Sequence, residues 1–275
     1  AGEAAVAVPL LVGHLYGAMG AGDHWLGTKA ELQSHPLLAR LRQDPYVRRA
    51  AEKPRGYAGD AELIDFLYDR TPPVGTAPDA EGLFKISTGF QASEGVRQRK
   101  QLAARFLAEA AARGHSVCAL ACGHLREAEG LGQAELARIV AVDQDSRSLA
   151  RLRELHGPAV RVAQANAFGF LRQAASIGER FDYIYTLGLT DYLDDRAMAL
   201  LHRLCAKLLT PGGTFRLANF LPGHLAVGWM DAVMDWQLIY RTEQQLLDFA
   251  REAGLAARSW TDPTGSIAWC EMTRS

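Results

Sequence analysis

The chain has few of the residues that would mark a secreted, metal-dependent or nucleic-acid-binding protein. Only four cysteines occur in 275 residues and they show no paired framework, so we expect reduced thiols and a cytoplasmic protein. Cys118 and Cys122 have the spacing that begins an iron–sulfur motif, but Leu125 stands where the third cysteine would fall. No His or Cys pair lies near them at zinc-ligand spacing, so we expect no metal.

The chain also lacks an excess of basic charge and has few long apolar runs. Thirty Lys and Arg stand against 31 Asp and Glu, which gives a net charge of -1 and disfavours nucleic acid as a partner. The apolar opening AGEAAVAVPLLVGHLYGAMG is broken by Pro9 and glycines and has no basic flank, unlike a signal peptide. We interpret it as a helix that packs or dimerises, and no other stretch approaches a membrane span in length.

Hydrophobic residues make up 48% of the chain, enough to bury a core in one large or two small domains. Residues 1–92 have the pattern of helices joined by loops, including a helix over 60–70 with Asp60 as its N-cap and a Pro/Gly loop over 71–82. Residues 93–275 alternate between helix and strand, beginning with a helix that ends at Gly114. Long crossovers predict parallel strands, and the short PTG turn predicts a final antiparallel hairpin.

The two segments VCALACGHLREAEG (117–130) and IVAVDQD (139–145) predict a nucleotide-binding half-site. Each begins as an apolar strand; the first continues through a turn at Cys122-Gly123 into a helix, and the second ends at Asp143. A dinucleotide site needs three glycines so that the backbone can approach a pyrophosphate, but the outer two places hold Ala121 and Arg126. S-adenosylmethionine has ribose hydroxyls and no phosphate. Its site needs only one close approach of the backbone and an acid for the ribose, and this turn with Asp143 provides both.

Ligands of such sheets lie over the carboxyl ends of the strands, so four strand tips supply candidate cofactor residues. Asp143, with Gln144 beside it, is the predicted ribose partner, although an acid there also serves as a helix cap. Phe168 is predicted to contact the adenine. Tyr192 is predicted to face the methyl group or, alternatively, to pack against the sheet. The predicted cofactor-binding residues at the four tips are Ala121, Cys122, Gly123, Asp143, Gln144, Asn166, Ala167, Phe168, Leu187 and Gly188.

The runs KPRGYAGD, EGVRQRK, ACGHLRE, LGLTDYLDD, LTPGGTFRLANF and DWQLIYRT, in this order over residues 50–275, resemble the methyltransferases of extracellular factor 3-hydroxypalmitic acid methyl ester biosynthesis. The resemblance implies a Rossmann-like class I methyltransferase fold. Its α/β sheet is mostly parallel with a reversed last strand over residues 93–275, behind an N-terminal helical cap over 1–92. This chain departs from the usual pattern at Ala119, where an acid is common, and at Ala121, where glycine is common.

The resemblance also implies roles outside the strand tips. Arg97 would meet the cofactor carboxylate, since it lies on the helix before the first strand. Residues 55–60 would form a lid, and Trp236 and Tyr240, four apart on a predicted helix, would line an acceptor pocket or belong to the core. His224 is a conceivable base. The catalytic candidates are Tyr57, Tyr192, Asn219 and Tyr240, and the substrate-binding candidates are Arg55, Asp60, Trp236 and Arg241.

These patterns together predict a methyltransferase that uses S-adenosylmethionine and acts on a small or medium metabolite. A fatty acyl carboxylate and a natural-product intermediate are the two acceptor classes left open. The alternative function is a non-catalytic S-adenosylmethionine sensor or partner subunit. A nicotinamide dehydrogenase is disfavoured because the glycines and a Tyr-x-x-x-Lys pair are missing. The sequence leaves open whether the protein forms a homodimer.

Overall fold

The computed structural model describes residues 2–274, with side chains described from residue 7 onward. The chain divides into two compact units. We call the first the helical unit (Ala1–Arg97 with Pro222–Gln237) and the second the sheet unit (Gln98–Leu221 with Leu238–Ser275).

The helical unit is built from short helices whose ends follow local capping signals. Asp60 accepts a hydrogen bond from the Leu63 N–H and begins α5, as predicted. Asp44 caps α4, which starts at Pro45 because proline needs no N–H there. Its helices are α1 (Gly2–Met19), α2 (Asp23–Ser34), α3 (Pro36–Leu41), α4 (Pro45–Glu52), α5 (Ala61–Asp69), α6 (Pro78–Ser87), the first part of α7 (Gln91–Ala112) and α12 (Ala226–Ala232).

Helix α6 begins inside the loop predicted over residues 71–82. Pro78 occupies its first turn, where proline favours a helix start, so the Pro/Gly composition there marks a helix boundary as well as a loop. Helices α1 and α12 pack closely at Gly228, where an added Cβ would lie 2.6 Å from the Val12 carbonyl oxygen. Nearby, Asp231 accepts hydrogen bonds from the Trp25 indole at 2.6 Å and the Lys29 ammonium at 2.7 Å.

The sheet unit contains a seven-stranded sheet in the order β3-β2-β1-β4-β5-β7-β6. Strands β1 to β5 pair in parallel, while β7 runs antiparallel to both β5 and β6, so the mostly parallel sheet with a reversed last strand is confirmed. The strands are β1 (Val117–Leu120), β2 (Ile139–Asp143), β3 (Arg161–Gln164), β4 (Phe181–Thr186), β5 (Leu209–Phe220), β6 (Ala256–Thr261) and β7 (Ile267–Thr273). The helices are the remainder of α7, α8 (Gln133–Leu136), α9 (Ser146–His156), α10 (Ala167–Ser176), α11 (Asp195–Leu208) and α13 (Glu243–Glu252).

Alternating side chains along the strands bury both faces of this sheet. On one face, residues such as Leu120, Ile184 and Phe215 pack with α10, α11 and α13. On the other face, Ala119 and Tyr185 join a cluster with Leu107 and Ala110 of α7, among others. Each large side chain buried this way contributes roughly 1.5–3 kcal/mol, so the sheet is held firmly enough to present its strand ends as a fixed edge.

Two predicted helices are wrong. The helix expected after the Cys122-Gly123 turn is only a three-residue 3₁₀ turn, Arg126–Ala128, because Leu125 before it has a left-handed backbone (φ 53°). The helix expected to carry Trp236, Tyr240 and Arg241 is absent, since α12 ends at Ala232 and α13 begins at Glu243. A left-handed residue at 235 (φ 49°) breaks the helical path there.

Within residues 2–274, none of the helices combines the length and the apolarity that a bilayer crossing needs. The same part of the chain places no group of three or more His, Cys, Asp or Glu side chains where they could share a metal ion. All four cysteines are free thiols, with Cys118, Cys205 and Cys270 buried.

Candidate functional site

The candidate site lies in the sheet unit, at the carboxyl ends of β1, β2 and β4. Strand β1 is central, with β2 on one side and β4 on the other, so the chain order reverses direction at β1. Open α/β sheets bind ligands at such a switch point, because the loops that leave the adjacent strands diverge there. The predicted strand tips Ala121, Asp143 and Leu187 all follow or end these three strands.

The turn after β1 takes its shape from alternating left-handed residues. Ala121, Gly123 and Leu125 have φ values of 49°, 54° and 53°. Glycine adopts this region freely, whereas Ala121 pays a steric cost, so its conformation is imposed by the turn. The Cys122 N–H continues the pairing with β2 by donating to the Val142 carbonyl at 3.1 Å. Burial raises the pKa of the Cys122 thiol, which therefore stays protonated and is a poor nucleophile.

Asp143, at the end of β2, is held against this turn. One carboxylate oxygen accepts a hydrogen bond from the Gly123 N–H at 2.9 Å, and the other accepts from the Asp145 N–H at 2.9 Å. Burial raises the pKa of Asp143, and these backbone donors, with that of Gln144, lower it. A carboxylate offers about four acceptor positions, so the fixed group still has capacity for a ligand hydroxyl.

The tip of β3 is occupied by a helix cap. The Asn166 side-chain oxygen accepts from the Gly169 N–H at 2.8 Å and begins α10. Ala167 is buried, Phe168 is half-buried against the core, and Gln144 at the neighbouring tip is exposed. Asn166 therefore serves as a helix cap, and adenine contacts by Asn166, Ala167 and Phe168 stay predictions.

A buried arginine that the sequence interpretation overlooked lies beside the tip of β4. Arg99 donates to the Leu187 carbonyl at 2.6 Å, and its Nη2 lies 4.0 Å from where a Cβ on Gly188 would be. Its side chain is buried, and its Nε has no hydrogen-bond partner. Within the described residues, no carboxylate forms a salt bridge with it. Arg99 is therefore a buried cation with spare donor capacity at the ligand edge.

Glu127 supplies a buried acid to the same region. The Tyr185 hydroxyl donates to its Oε1 at 2.7 Å, and its carboxylate feels the positive charges of Arg99 and Lys100. Burial raises the pKa of Glu127. The tyrosine was visible in sequence only as part of the alternation in FDYIYT, which places Tyr183 and Tyr185 on one face of β4.

The tips of β4 and β5 are tied together. Asp191 is buried, accepts from the Phe220 N–H at 2.7 Å, and has its pKa raised to about 6 by burial, against the lowering effect of that donor and of Arg99 and Arg241. The neighbouring Tyr192 is 38% exposed, so its aromatic ring is accessible at this tip. Its predicted place near the methyl group stays a prediction.

Asn219 and Arg241 have structural partners. Asn219 is fully buried, and its amide nitrogen donates to the Ile239 carbonyl at 3.0 Å, while its Oδ1 has no partner. Arg241 is 1% exposed and donates to the Thr190 carbonyl at 3.0 Å and to Asp195 at 2.9 Å. These contacts hold the loops after β4 and β5, and Tyr240 between them is half-buried. The acceptor-side roles of Asn219, Tyr240 and Arg241 stay predictions.

The remaining predicted residues belong to the helical unit. Asp60 is fully buried and forms a two-point salt bridge with Arg49, at 2.9 and 2.8 Å, besides capping α5. Arg97 donates to Glu94 at 2.8 Å and to the Thr88 carbonyl at 2.9 Å, so its guanidinium is engaged locally. Arg55 pairs with Glu62 at 3.1 Å; Tyr57 is half-buried and Trp236 is buried.

No family model matches the chain. No curated protein matches it either. Among solved structures, one described as a possible exported protein from Bordetella parapertussis has a TM-score of 0.63 and 19% identity, covering 100% of this chain and 97% of its own. Magnesium protoporphyrin IX methyltransferase from Synechocystis PCC 6803, solved with bound S-adenosylhomocysteine, has a TM-score of 0.50 and 15% identity, covering 66% of this chain and 86% of its own. At these identities the likeness shows the fold, and the chain has the fold of class I methyltransferases.

Proposed function

We propose that the protein is a methyltransferase that binds S-adenosylmethionine at the switch point of the sheet and methylates a small or medium metabolite. The observation that carries the proposal is the Asp143 carboxylate, fixed by the Gly123 and Asp145 N–H groups at the end of β2. An acid fixed in this way can accept hydrogen bonds from both hydroxyls of a ribose. Fold likeness to an enzyme solved with S-adenosylhomocysteine supports the same ligand.

The charges around the site fit the rest of the cofactor. Its methionine tail has a carboxylate, and Arg99 offers an unpartnered Nε beside the β4 tip. We therefore propose Arg99 as the partner of that carboxylate in place of Arg97, whose guanidinium is bound to Glu94 and two carbonyl groups. The proposed adenine neighbours are Asn166, Ala167 and Phe168. The backbone of Leu187 and Gly188 is proposed to lie against the cofactor at the tip of β4.

When bound, S-adenosylmethionine supplies an electrophilic methyl group on a positively charged sulfur. The protein's task in such a displacement is alignment and exclusion of water. Rigid strand tips meet this need, because Asp191 ties the end of β4 to Phe220 at the end of β5. The exposed Tyr192 ring offers an aromatic face that can stabilise a nearby cation, and we propose that it borders the methyl group.

For the acceptor we propose a fatty acyl carboxylate, with a natural-product intermediate as the competing class. The sequence resemblance to the 3-hydroxypalmitic acid methyl ester family supports the first. An ionised carboxylate arrives without a proton to remove, so it needs orienting groups and no general base. In the sheet unit, Asn219, Tyr240 and Arg241 remain the proposed acceptor residues. In the helical unit, Tyr57, Trp236, Arg55 and Asp60 remain separate proposals.

Two measurements test the proposal. Isothermal calorimetry should show binding of S-adenosylhomocysteine and no binding of NAD; the reverse result would refute the cofactor assignment. Incubation with methyl-labelled S-adenosylmethionine and a panel of fatty acids, hydroxylated aromatics and amines should then transfer label to one class. Cofactor binding with no labelled product from any acceptor class would favour the non-catalytic binder instead.

A further inference from the structure

Helix α1 is apolar on two opposite faces. One face packs inside the helical unit, where Val12 is 2% exposed and lies in a core cluster with Trp25 and Ala232. The other face is open, and its Leu10 and Leu11 are 44% and 58% exposed. A helix that is hydrophobic all round is typical of a buried position, with protein on every side. The composition of α1 therefore suits a helix that is covered on both faces.

The open face forms one continuous stripe. Its exposed residues recur every three or four positions, so they fall within an arc of about 120° around the helix axis. We call them the α1 stripe: Ala7, Leu10, Leu11, His14, Gly17 and Ala18. No Asp, Glu, Lys or Arg occurs over residues 7–19. Of the ten large hydrophobic side chains exposed among the described residues, five lie within residues 10–37, and such a concentration marks an interaction surface.

The sizes of the side chains make the α1 stripe complementary to itself. Leu10 and Leu11 lie about one turn before His14, and the small residues Gly17 and Ala18 lie about one turn after it. A Cβ added at Gly17 would have none of the described atoms within 4 Å, so the stripe is recessed and open there. In an antiparallel pair centred on His14, Leu11 of one copy lies opposite Gly17 of the other, and Leu10 lies opposite Ala18. A parallel pair would place leucine against leucine and leave the two recesses facing each other.

We propose that the α1 stripe is a homodimer interface, in which two copies of this chain pack their α1 helices antiparallel around His14. This inference goes beyond the proposed function and does not depend on the cofactor. The stripe spans twelve residues and is about 18 Å long. One helix pair of this length buries less than the roughly 1,200 Å² of a standard interface, so the dimer is weak and forms as the protein concentration rises.

A lipid surface is the competing apolar partner. Helices that lie on membranes carry Lys or Arg beside their apolar face, where these residues meet anionic headgroups. Helix α1 contains no Lys or Arg, and Glu3 is its one acidic residue. This charge pattern favours a second copy of the chain over a membrane.

Sedimentation velocity over a series of protein concentrations tests the interface. The wild-type protein should shift from monomer to dimer as the concentration rises. Leu11→Glu should weaken the dimer about 100-fold or more, because two leucines are lost from each dimer and two charges enter the contact. Ile177→Glu is the matched control. It makes the same kind of change at a side chain that is 69% exposed in the sheet unit, and it should leave the dimer unchanged.

Gly17→Leu separates an interface effect from a folding effect. The space around Gly17 accommodates a side chain in the monomer, and leucine favours a helix more than glycine does. The unfolding temperature should therefore stay the same or rise. The dimer should weaken about tenfold or more, because the new side chain fills the recess that receives Leu11 of the other copy.

Cysteine cross-linking tests the antiparallel arrangement. His14→Cys should form a disulfide-linked dimer on oxidation, because the two copies of residue 14 meet at the two-fold axis. Ala18→Cys is its matched control, since the two copies of residue 18 lie about 12 Å apart along the helices, beyond the reach of a disulfide. The wild-type protein controls for the natural thiols, of which Cys118, Cys205 and Cys270 are buried.

Three outcomes would overturn the proposal. The first is a wild-type protein that stays monomeric at every concentration, including one that binds phosphatidylcholine vesicles through Leu11. The second is a dimer that Leu11→Glu and Gly17→Leu leave intact, since the contact then lies elsewhere. The third is equal cross-linking of His14→Cys and Ala18→Cys, which would indicate a parallel pair.

Discussion

Asp143→Asn is the substitution that tests the cofactor site most directly. The wild-type carboxylate accepts from the Gly123 N–H with one oxygen and from the Asp145 N–H with the other. Asparagine has one oxygen, so its NH₂ group must face one of these N–H donors and that bond is lost. A buried donor left without an acceptor costs about 1–3 kcal/mol of stability. Removing the buried charge offsets part of this loss, because burial raises the pKa of Asp143.

The effect on the cofactor should be larger than the effect on folding. A ribose hydroxyl that donates to a carboxylate contributes about 1.5–3 kcal/mol, and the neutral amide replaces that acceptor with a weaker one or a donor. We therefore expect the affinity for S-adenosylhomocysteine, measured by calorimetry, to fall about 10- to 100-fold. Urea unfolding of the same sample measures the stability loss separately.

Asp182→Asn is the matched control for this experiment. Asp182 lies at the opposite end of the sheet, at the start of β4, and likewise accepts from a backbone N–H, that of Ser116, at 2.9 Å. It also accepts from the Thr210 hydroxyl at 2.8 Å. Its substitution should lower stability and leave cofactor affinity unchanged. A folded Asp143→Asn protein that binds S-adenosylhomocysteine within twofold of wild type would refute the ribose assignment.

Three further substitutions test separate parts of the structure. Arg99→Gln should lower S-adenosylhomocysteine affinity about tenfold or more, whereas Arg97→Gln on the same helix should lower only the unfolding temperature; equal affinity losses in calorimetry would contradict this. Ala121→Gly relieves a left-handed alanine (φ 49°) and should raise the free energy of unfolding in urea by about 1 kcal/mol, and a fall in stability would show the strain argument to be wrong. Burial raises the pKa of Asp44 from 3.8 to about 6, so its ionised form costs stability as pH rises through that range. Asp44→Asn should therefore stabilise the protein by about 3 kcal/mol at pH 8 and by almost nothing near pH 3, and a pH-independent difference would argue against a buried charge.

The strands were predictable because their apolar residues leave a local signal. Segments such as FDYIYT and IVAVD became β4 and β2 where expected. The failed helix at Trp236–Arg241 shows where local signals end. Its spacing suits a helix, but the Ile239 N–H donates to the Asp191 carbonyl and the Ile239 carbonyl accepts from the Asn219 side chain. Tertiary hydrogen bonds of this kind override a helical pattern and are invisible in one sequence.

The candidate site was predictable at the backbone and less so at the side chains. Asp143 and Gly123 follow from the position of a turn and an acid after successive strands, and the structure joins them directly. The cation was harder to assign, because Arg97 and Arg99 stand two residues apart on α7 and composition does not tell which faces the sheet edge. Only the packed structure shows that Arg97 is engaged by Glu94 and that Arg99 reaches Leu187.

The form of the turn after β1 also bears on which ligand the site takes. A dinucleotide pyrophosphate is stabilised by the N-terminus of a full helix that follows the first strand. Here the strand is followed by a 3₁₀ turn over Arg126–Ala128 and a four-residue helix, Gln133–Leu136, so little helix dipole is available. We therefore propose that recognition depends instead on discrete charges near the turn, those of Asp143 and Arg99. A ligand with a ribose and a carboxylate, but no phosphate, suits both of these proposed partners.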